Sequence, residues 1–209
     1  LRERGYILDV RRPVIGEKLP ENMNHHDLAV IFGGPPSAND NLDYIKQEID
    51  WISSALESKK PFLGICLGAQ MLAKNLGGTV QRSKDSILEI GFFKIDPTGD
   101  GHKIFRNQQT FFQWHREGFY VPKSCNILAT GDLFREQAFR YQNAVGIQFH
   151  PEVNLNMHLR WLYYAGYMLK ERGAQNRREQ LFHRLKHGKK INLWLDSFLD
   201  NYLLKDINS

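Results

Sequence analysis

Lys60-Pro61-Phe62-Leu63-Gly64-Ile65-Cys66-Leu67-Gly68-Ala69-Gln70 is the stretch that decides the fold. An apolar run ends in Gly-Ile-Cys-Leu-Gly, and helical spacing begins at once with Ala69, Met71, Leu72, Ala73 and Leu76. A strand, a sharp turn and a helix in that order make a nucleophile elbow, with Cys where esterases carry Ser. Gly64 and Gly68 let the backbone turn tightly without a Cβ clash. The turn holds Cys66 in a strained position. The helix after it points unpaired N–H groups and the positive end of its dipole at the sulfur, which favours negative charge there. A lone Cys in an apolar run is more commonly a small inert core residue, so this stretch alone leaves both readings open.

A second stretch shifts the balance. Ala144-Val-Gly-Ile-Gln-Phe149 reads as a strand that delivers His150-Pro151-Glu152 at its end. His150 can serve Cys66 as base and Glu152 can orient the imidazole. A nucleophile, a base and a carboxylate form a triad defined by roles rather than chain order. Upstream, Leu28-Ala-Val-Ile-Phe32 is a continuous apolar strand followed by Gly33-Gly34-Pro35-Pro36-Ser37. The glycines suit close approach of a ligand to backbone N–H groups. Taken alone, they equally suit a simple turn.

With these three motifs, in this order, the chain resembles the class I glutamine amidotransferases over nearly its whole length, and especially free-standing GMP-synthase-like glutaminase domains. The resemblance implies an α/β fold in three layers, a mostly parallel, flavodoxin-like sheet flanked by helices. It implies Cys66, His150 and Glu152 as catalytic residues, with Gly34 and Leu67 supplying the N–H groups of an oxyanion hole. Gly33 and Gln70 would contact the substrate glutamine. The segment His115-Arg116-Glu117-Gly118-Phe119 would line the glutamine site, which adds His115 and Phe119 to the substrate-binding candidates. Relatives commonly carry His-Gly-Asp there, so Arg116 and Glu117 depart from the pattern. His115 is otherwise a structural residue, because His150 already fills the base role. Glu89-Ile90-Gly91 resembles a further family signature with a packing role for Gly91. Such a domain normally opens with a strand before its first helix. Here Leu1–Gly5 reads as the last turn of a helix and Tyr6–Val10 as the next strand, so the N-terminal strand is expected to be missing from the sequence in hand.

The bounds agree with this reading. The 209 residues, 42% hydrophobic and 24% charged, suit one globular domain, with residues 155–209 as a helical, basic part packed on it. No run of apolar residues is long enough to span a membrane, and no targeting segment is visible. Two cysteines make no disulfide framework, and a catalytic thiol suits the reduced cytoplasm. Cys125 lacks an elbow and a paired His and reads as structurally neutral. No zinc-type Cys/His spacing and no P-loop occur, so no cofactor is expected.

The net charge is +5, and residues 170–190 hold eight Lys or Arg against two Glu. Leu181, Phe182 and Leu185 within that run suggest a helix with one buried stripe and one solvated face. Nucleic-acid binding has no motif to support it. Other helices are expected over Leu42–Leu56, capped by Asn39 or Asp40, after the catalytic loop (Leu159 to Leu169), and over Asn192–Leu204.

The implied chemistry is hydrolysis of glutamine's side-chain amide. The chain has no room for a synthetase domain, so ammonia used in synthesis would need an acceptor on a partner. The rival readings are a stand-alone γ-glutamyl hydrolase with the same triad and a non-catalytic binding module, for which an intact triad would be superfluous.

Overall fold

The computed structural model describes residues 1–205. Its strands are β1 (Ala29–Ile31), β2 (Phe62–Ile65), β3 (Thr79–Arg82), β4 (Glu89–Lys94), β5 (Asp96–Pro97), β6 (Thr110–His115), β7 (Glu117–Tyr120), β8 (Asn126–Thr130), β9 (Glu136–Tyr141) and β10 (Ala144–Ile147). Its helices are α1 (Asp43–Glu57), α2 (Leu67–Asn75), α3 (Gly101–Ile104), α4 (Leu155–Tyr164) and α5 (Arg177–Phe198). Six strands form the central sheet in the order β1-β2-β10-β9-β8-β5, while β3-β7 and β4-β6 make two small ribbons.

The fold is α/β with helices flanking a central sheet, as the elbow predicts, but the sheet is mixed rather than mostly parallel. Strands β1, β2 and β10 run parallel. From β10 outward, β9, β8 and β5 pair antiparallel. The cause is local. Only Gln142 and Asn143 lie between β9 and β10, and Gln142 takes φ 51°. A connection that short makes a hairpin, whereas parallel neighbours need a crossover of a dozen residues or more.

The three layers follow from strand alternation. On β2, Phe62 joins the cluster under α1 and α2 with Ile45, Ile52, Met71 and Leu72. Leu63 and Ile65 point the other way, into the cluster under α5 with Phe105, Phe111, Ile191, Trp194 and Phe198. Ala144 and Val145 on β10 divide in the same way. The sheet is therefore covered on both faces, which explains why its central strands are apolar without a polar alternate.

Several expectations need correcting. Tyr6–Val10 is not a strand and pairs with no other strand among the described residues. Ile7 is 99% exposed, and Asp9 is engaged by Arg11 at 2.6 Å and His26 at 3.1 Å. Helix α1 begins after Leu42 without a side-chain cap, because Asp40 instead accepts the Ser37 N–H at 2.9 Å. Most of the basic run and the first part of the last apolar element are one continuous helix, α5, opened by an Asn176–Glu179 capping box and followed by a π-helical turn over Leu199–Leu203. Its buried stripe is Gln180, Arg184, Ile191, Trp194 and Phe198, whereas Phe182 and Leu185 are 61% and 81% exposed. Trp194 stacks on Phe105 at 5.4 Å and donates its indole N–H to the Ile104 carbonyl at 2.8 Å. That docking fixes the rotation of the helix and leaves Phe182 and Leu185 outside. Among the described residues, no helix is long and apolar enough to cross a membrane.

Candidate active site

The elbow is built from backbone constraint. Cys66 follows β2 directly, precedes α2, and sits at φ 51°, ψ −106°. A non-glycine residue in such a conformation stores about 1–3 kcal/mol, which persists only where the surroundings over-determine it. Here the Cys66 N–H donates to the Ile147 carbonyl at 2.8 Å, and the Cys66 carbonyl accepts from the Gln70 N–H at 3.0 Å. Gly64 and Gly68 are both required. A Cβ on Gly64 would stand 2.6 Å from the Gly68 carbonyl, and one on Gly68 would run directly into the Ile31 carbonyl oxygen of β1. Sheet and helix are thus pressed together on either side of the sulfur.

His150 follows β10, the strand beside β2. Its backbone N–H donates to the Phe112 carbonyl at 2.8 Å. Its Nδ1 donates to Glu152 Oε1 at 2.7 Å, which leaves Nε2 for other work, and Trp161 meets the ring edge-on at 5.0 Å. The imidazole is buried. Burial disfavours its charged form, but Glu152 on one side and Cys66 on the other outweigh that, and its pKa is raised to about 10. A raised imidazole pKa beside a thiol is the arrangement that a thiol–imidazole nucleophile would need.

The remaining candidates divide. Gly33 is at the centre, since a Cβ there would lie 2.7 Å from His150 Cε1 and 3.2 Å from the Cys66 Cβ. Gly34 adjoins Leu67, whose Cδ2 would be 3.4 Å from a Cβ at Gly34. Leu67 is the first residue of α2, so its N–H has no intrahelical acceptor. Gln70 is buried and donates to the Glu117 carbonyl at 2.8 Å and to Gln148 Oε1 at 3.3 Å. His115 lines the cavity over Cys66, but its ring is taken up by the protein: Nδ1 donates to the Glu117 carbonyl at 2.9 Å, and Nε2 lies 3.0 Å from Glu89. Phe119 is not brought to the site. It is buried in the cluster under α1 and α2, edge-on to Phe139 at 4.9 Å. The reason is register, because His115–Phe119 spans the end of β6 and most of β7, and Phe119 points to the core.

Arg116 and Glu117, the departures from the expected pattern, have work of their own. Glu117 accepts the Ser37 hydroxyl at 2.6 Å, and Arg116 donates to the Pro35 carbonyl at 3.3 Å. Together they pin the Gly33–Ser37 loop from the opposite side of the site. Gly91 takes φ +132° and lets Gln175 pack against β4 where a Cβ would collide, in line with its expected packing role.

Sequence reasoning missed Gln148, whose amide nitrogen lies 3.6 Å from the Cys66 sulfur. It lies two residues before His150, just past the end of β10, where reading the run Ala144–His150 as one strand with period-two alternation would have put it on the same side as His150. Cys125 is buried in the cluster under α1 and α2, and burial pushes its thiol pKa up. Among the described residues no three His, Cys, Asp or Glu side chains are grouped so that they could hold a metal ion.

The cavity over Cys66 has a volume of about 610 Å³. Its floor is Gly33, Cys66, Leu67, Gln70 and His150, and its far wall is aromatic, with Trp114, Trp161, Tyr164 and Tyr167.

Comparison with known proteins identifies the family. Residues 1–164 match the family described as glutamine amidotransferase class-I. A glutamine amidotransferase-like protein of Salmonella typhimurium, YfeJ, is 32% identical over 161 residues, which cover 72% of this chain and 66% of YfeJ, so the chain spans just under two thirds of that relative's length. A glutamine-hydrolysing GMP synthase subunit of Sulfurisphaera tokodaii is 33% identical over 143 residues, covering 66% of this chain and 73% of that protein. A glutamine amidotransferase of Thermotoga maritima superposes with a TM-score of 0.86 at 33% identity, covering 97% of this chain and 89% of that one. A cysteine elbow facing a His–Glu pair across two parallel strands, in a chain matched over residues 1–164, places this protein in the glutamine amidotransferase class-I family.

Proposed function

We propose that this chain hydrolyses the side-chain amide of glutamine through a thioester on Cys66, as one amidotransferase domain over its whole length. The carrying observation is the strained φ of Cys66 opposite a buried His150 whose Nδ1 is held by Glu152 at 2.7 Å. The Cys66 thiolate attacks the amide carbon, an S–C bond forms, and the carbonyl π pair moves to oxygen. The N–H groups of Gly34 and Leu67 receive that oxyanion. Losing one such donor typically costs about 10²–10³ in rate. His150 passes its Nε2 proton to the amide nitrogen, the C–N bond breaks, and ammonia leaves. His150 then takes a proton from water, whose oxygen attacks the thioester, and glutamate departs as the thiolate is restored. Glu152 keeps the imidazole in the required tautomer throughout. Gln70 helps to hold the amino-acid end of the substrate, and Gly33 lines the pocket beside Cys66 and His150.

The relative named as one subunit of a glutamine-hydrolysing GMP synthase supports a separate ammonia-accepting synthetase as partner. The site lies in a domain that fits the cytoplasm, where thiols stay reduced. The volume of the cavity and its aromatic far wall favour a second reading, hydrolysis of larger γ-glutamyl amides by the same triad, since cavities of several hundred Å³ bury ligands well above the size of glutamine.

The test is ammonia release from glutamine and amine release from a γ-glutamyl dipeptide, each with wild type and Cys66→Ala. Turnover of glutamine that disappears in Cys66→Ala supports the first reading. Turnover of the dipeptide alone supports the second. Turnover that survives Cys66→Ala rejects both.

A further inference from the structure

The basic face of α5 hides one residue that solvation does not explain. Arg184 is buried, and an unpaired buried charge is among the costliest features a fold can carry. Its guanidinium lies over the neighbouring rings of Phe92 and Phe112, 4.9 and 5.1 Å from their centroids. Nη1 donates to the carbonyl of Val153, the residue after Glu152, at 2.8 Å. Nε donates to His158 Nδ1 at 3.3 Å. His158 Nε2 in turn donates to Gln180 Oε1 at 3.0 Å, and Gln180 donates to the Gln175 carbonyl at 2.8 Å. This chain of donors fixes the His158 tautomer and ties α5 to the loop that carries the triad carboxylate.

Two atoms are left over. Arg184 Nη2 is a buried donor, and Glu152 Oε2 is a buried acceptor; neither has a hydrogen-bond partner among the described residues. Oε1 of the same carboxylate holds His150. Burial lowers the pKa of the guanidinium, and the charge of Glu152 works against that.

We infer that Arg184 is a positioning residue for Glu152: it makes no direct bond to the carboxylate, and its guanidinium, anchored on the Val153 carbonyl, holds the backbone beside Glu152 so that Oε1 stays directed at His150. The inference rests on the triad proposed above. It places the C-terminal helix, which lies outside the 1–164 family match, behind the catalytic loop.

A double-mutant cycle tests it. Ammonia release from glutamine is measured for wild type, Arg184→Met, Glu152→Gln and the double variant, with thermal melts of each. Arg184→Met should lower kcat about tenfold to a hundredfold, the scale of a displaced catalytic group, while KM changes by less than about threefold. In the Glu152→Gln background the same substitution should cost less than about threefold, because its target is already disabled. Arg184→Lys, which keeps the charge and loses the fork, should fall between Met and wild type. If Arg184→Met does not fold, Arg184→Lys alone carries the cycle, and its kcat loss should likewise vanish in Glu152→Gln. Equal losses in both backgrounds, or a folded Arg184 variant with wild-type kcat, overturn the inference. A Glu152→Gln single variant with wild-type kcat instead overturns the triad itself.

Discussion

Gly33→Ala removes no functional group, yet it should disable the site. The added methyl would stand 2.7 Å from His150 Cε1 and 3.2 Å from the Cys66 Cβ. Ordinary contact begins at 3.4 Å, so the imidazole must retreat by 0.7 Å or the loop must move by as much. The ring has little freedom to give, being held by Glu152 at 2.7 Å, by its backbone bond to Phe112 at 2.8 Å, and by Trp161 against its edge. A misplacement on the order of 1 Å at a reacting group costs about 10²-fold in rate, equivalent to about 2.7 kcal/mol of transition-state stabilisation. We expect kcat/KM for glutamine to fall by that factor. The melting temperature should drop only as far as the roughly 1–3 kcal/mol of an overpacked methyl allows. Steady-state ammonia release and a thermal melt on the same preparation decide the matter. A folded Gly33→Ala protein with activity within about threefold of wild type would refute either the placement of Gly33 against Cys66 and His150 or the catalytic roles proposed for them.

Three further outcomes follow from the same structure. Gly68→Ala drives a methyl into the Ile31 carbonyl of β1, so it should cost about 3 kcal/mol or more in chemical denaturation, and a variant as stable as wild type would contradict the elbow packing. His158 has its pKa lowered from 6.5 to about 4, first by burial and then by Arg184, with Gln180 opposing. The unfolded chain therefore binds the extra proton first, and stability should fall by up to about 3 kcal/mol as pH drops from 6.5 to 4. His158→Gln should flatten that slope in urea titrations across the window. On α5, Trp194→Ala should cost about 3–5 kcal/mol, while Leu185→Gln, at an 81% exposed position, should stay within about 0.5 kcal/mol. The reverse order would mean that the helix is rotated from the position described.

What could be read from the sequence was chemistry encoded locally. Gly64, Cys66 and Gly68 specify the elbow because the two glycines exclude a Cβ on either side of Cys66 and Cys66 itself makes the turn. His150 and Glu152 specify each other because they are two residues apart at the end of one strand. Gly33 declared itself through the need for a backbone without a side chain. What stayed hidden depends on partners distant in the chain. Tyr6–Val10 has the composition of a strand but no neighbour to pair with among the described residues. The direction of β9 follows from a two-residue connection that composition does not announce. Loop analogy puts Phe119 at the site, but it belongs to a strand whose register turns it inward. The burial of Arg184 runs against the expectation for a basic helix. Yet its place in the series Gln180, Arg184, Ile191, Trp194 and Phe198 follows helical spacing, and apolarity alone picked the wrong stripe.

The proposed chemistry requires Cys66 to be the nucleophile that His150 activates within a glutamine-shaped site. Intact-mass and peptide mapping after exposure to a glutamine analogue, with a chloromethyl ketone in place of the side-chain amide, tests this without any partner. One adduct per chain is expected, on Cys66, formed far more slowly in His150→Ala. An adduct on Cys125, or labelling of Cys66 at the same rate in His150→Ala, would be incompatible with that role.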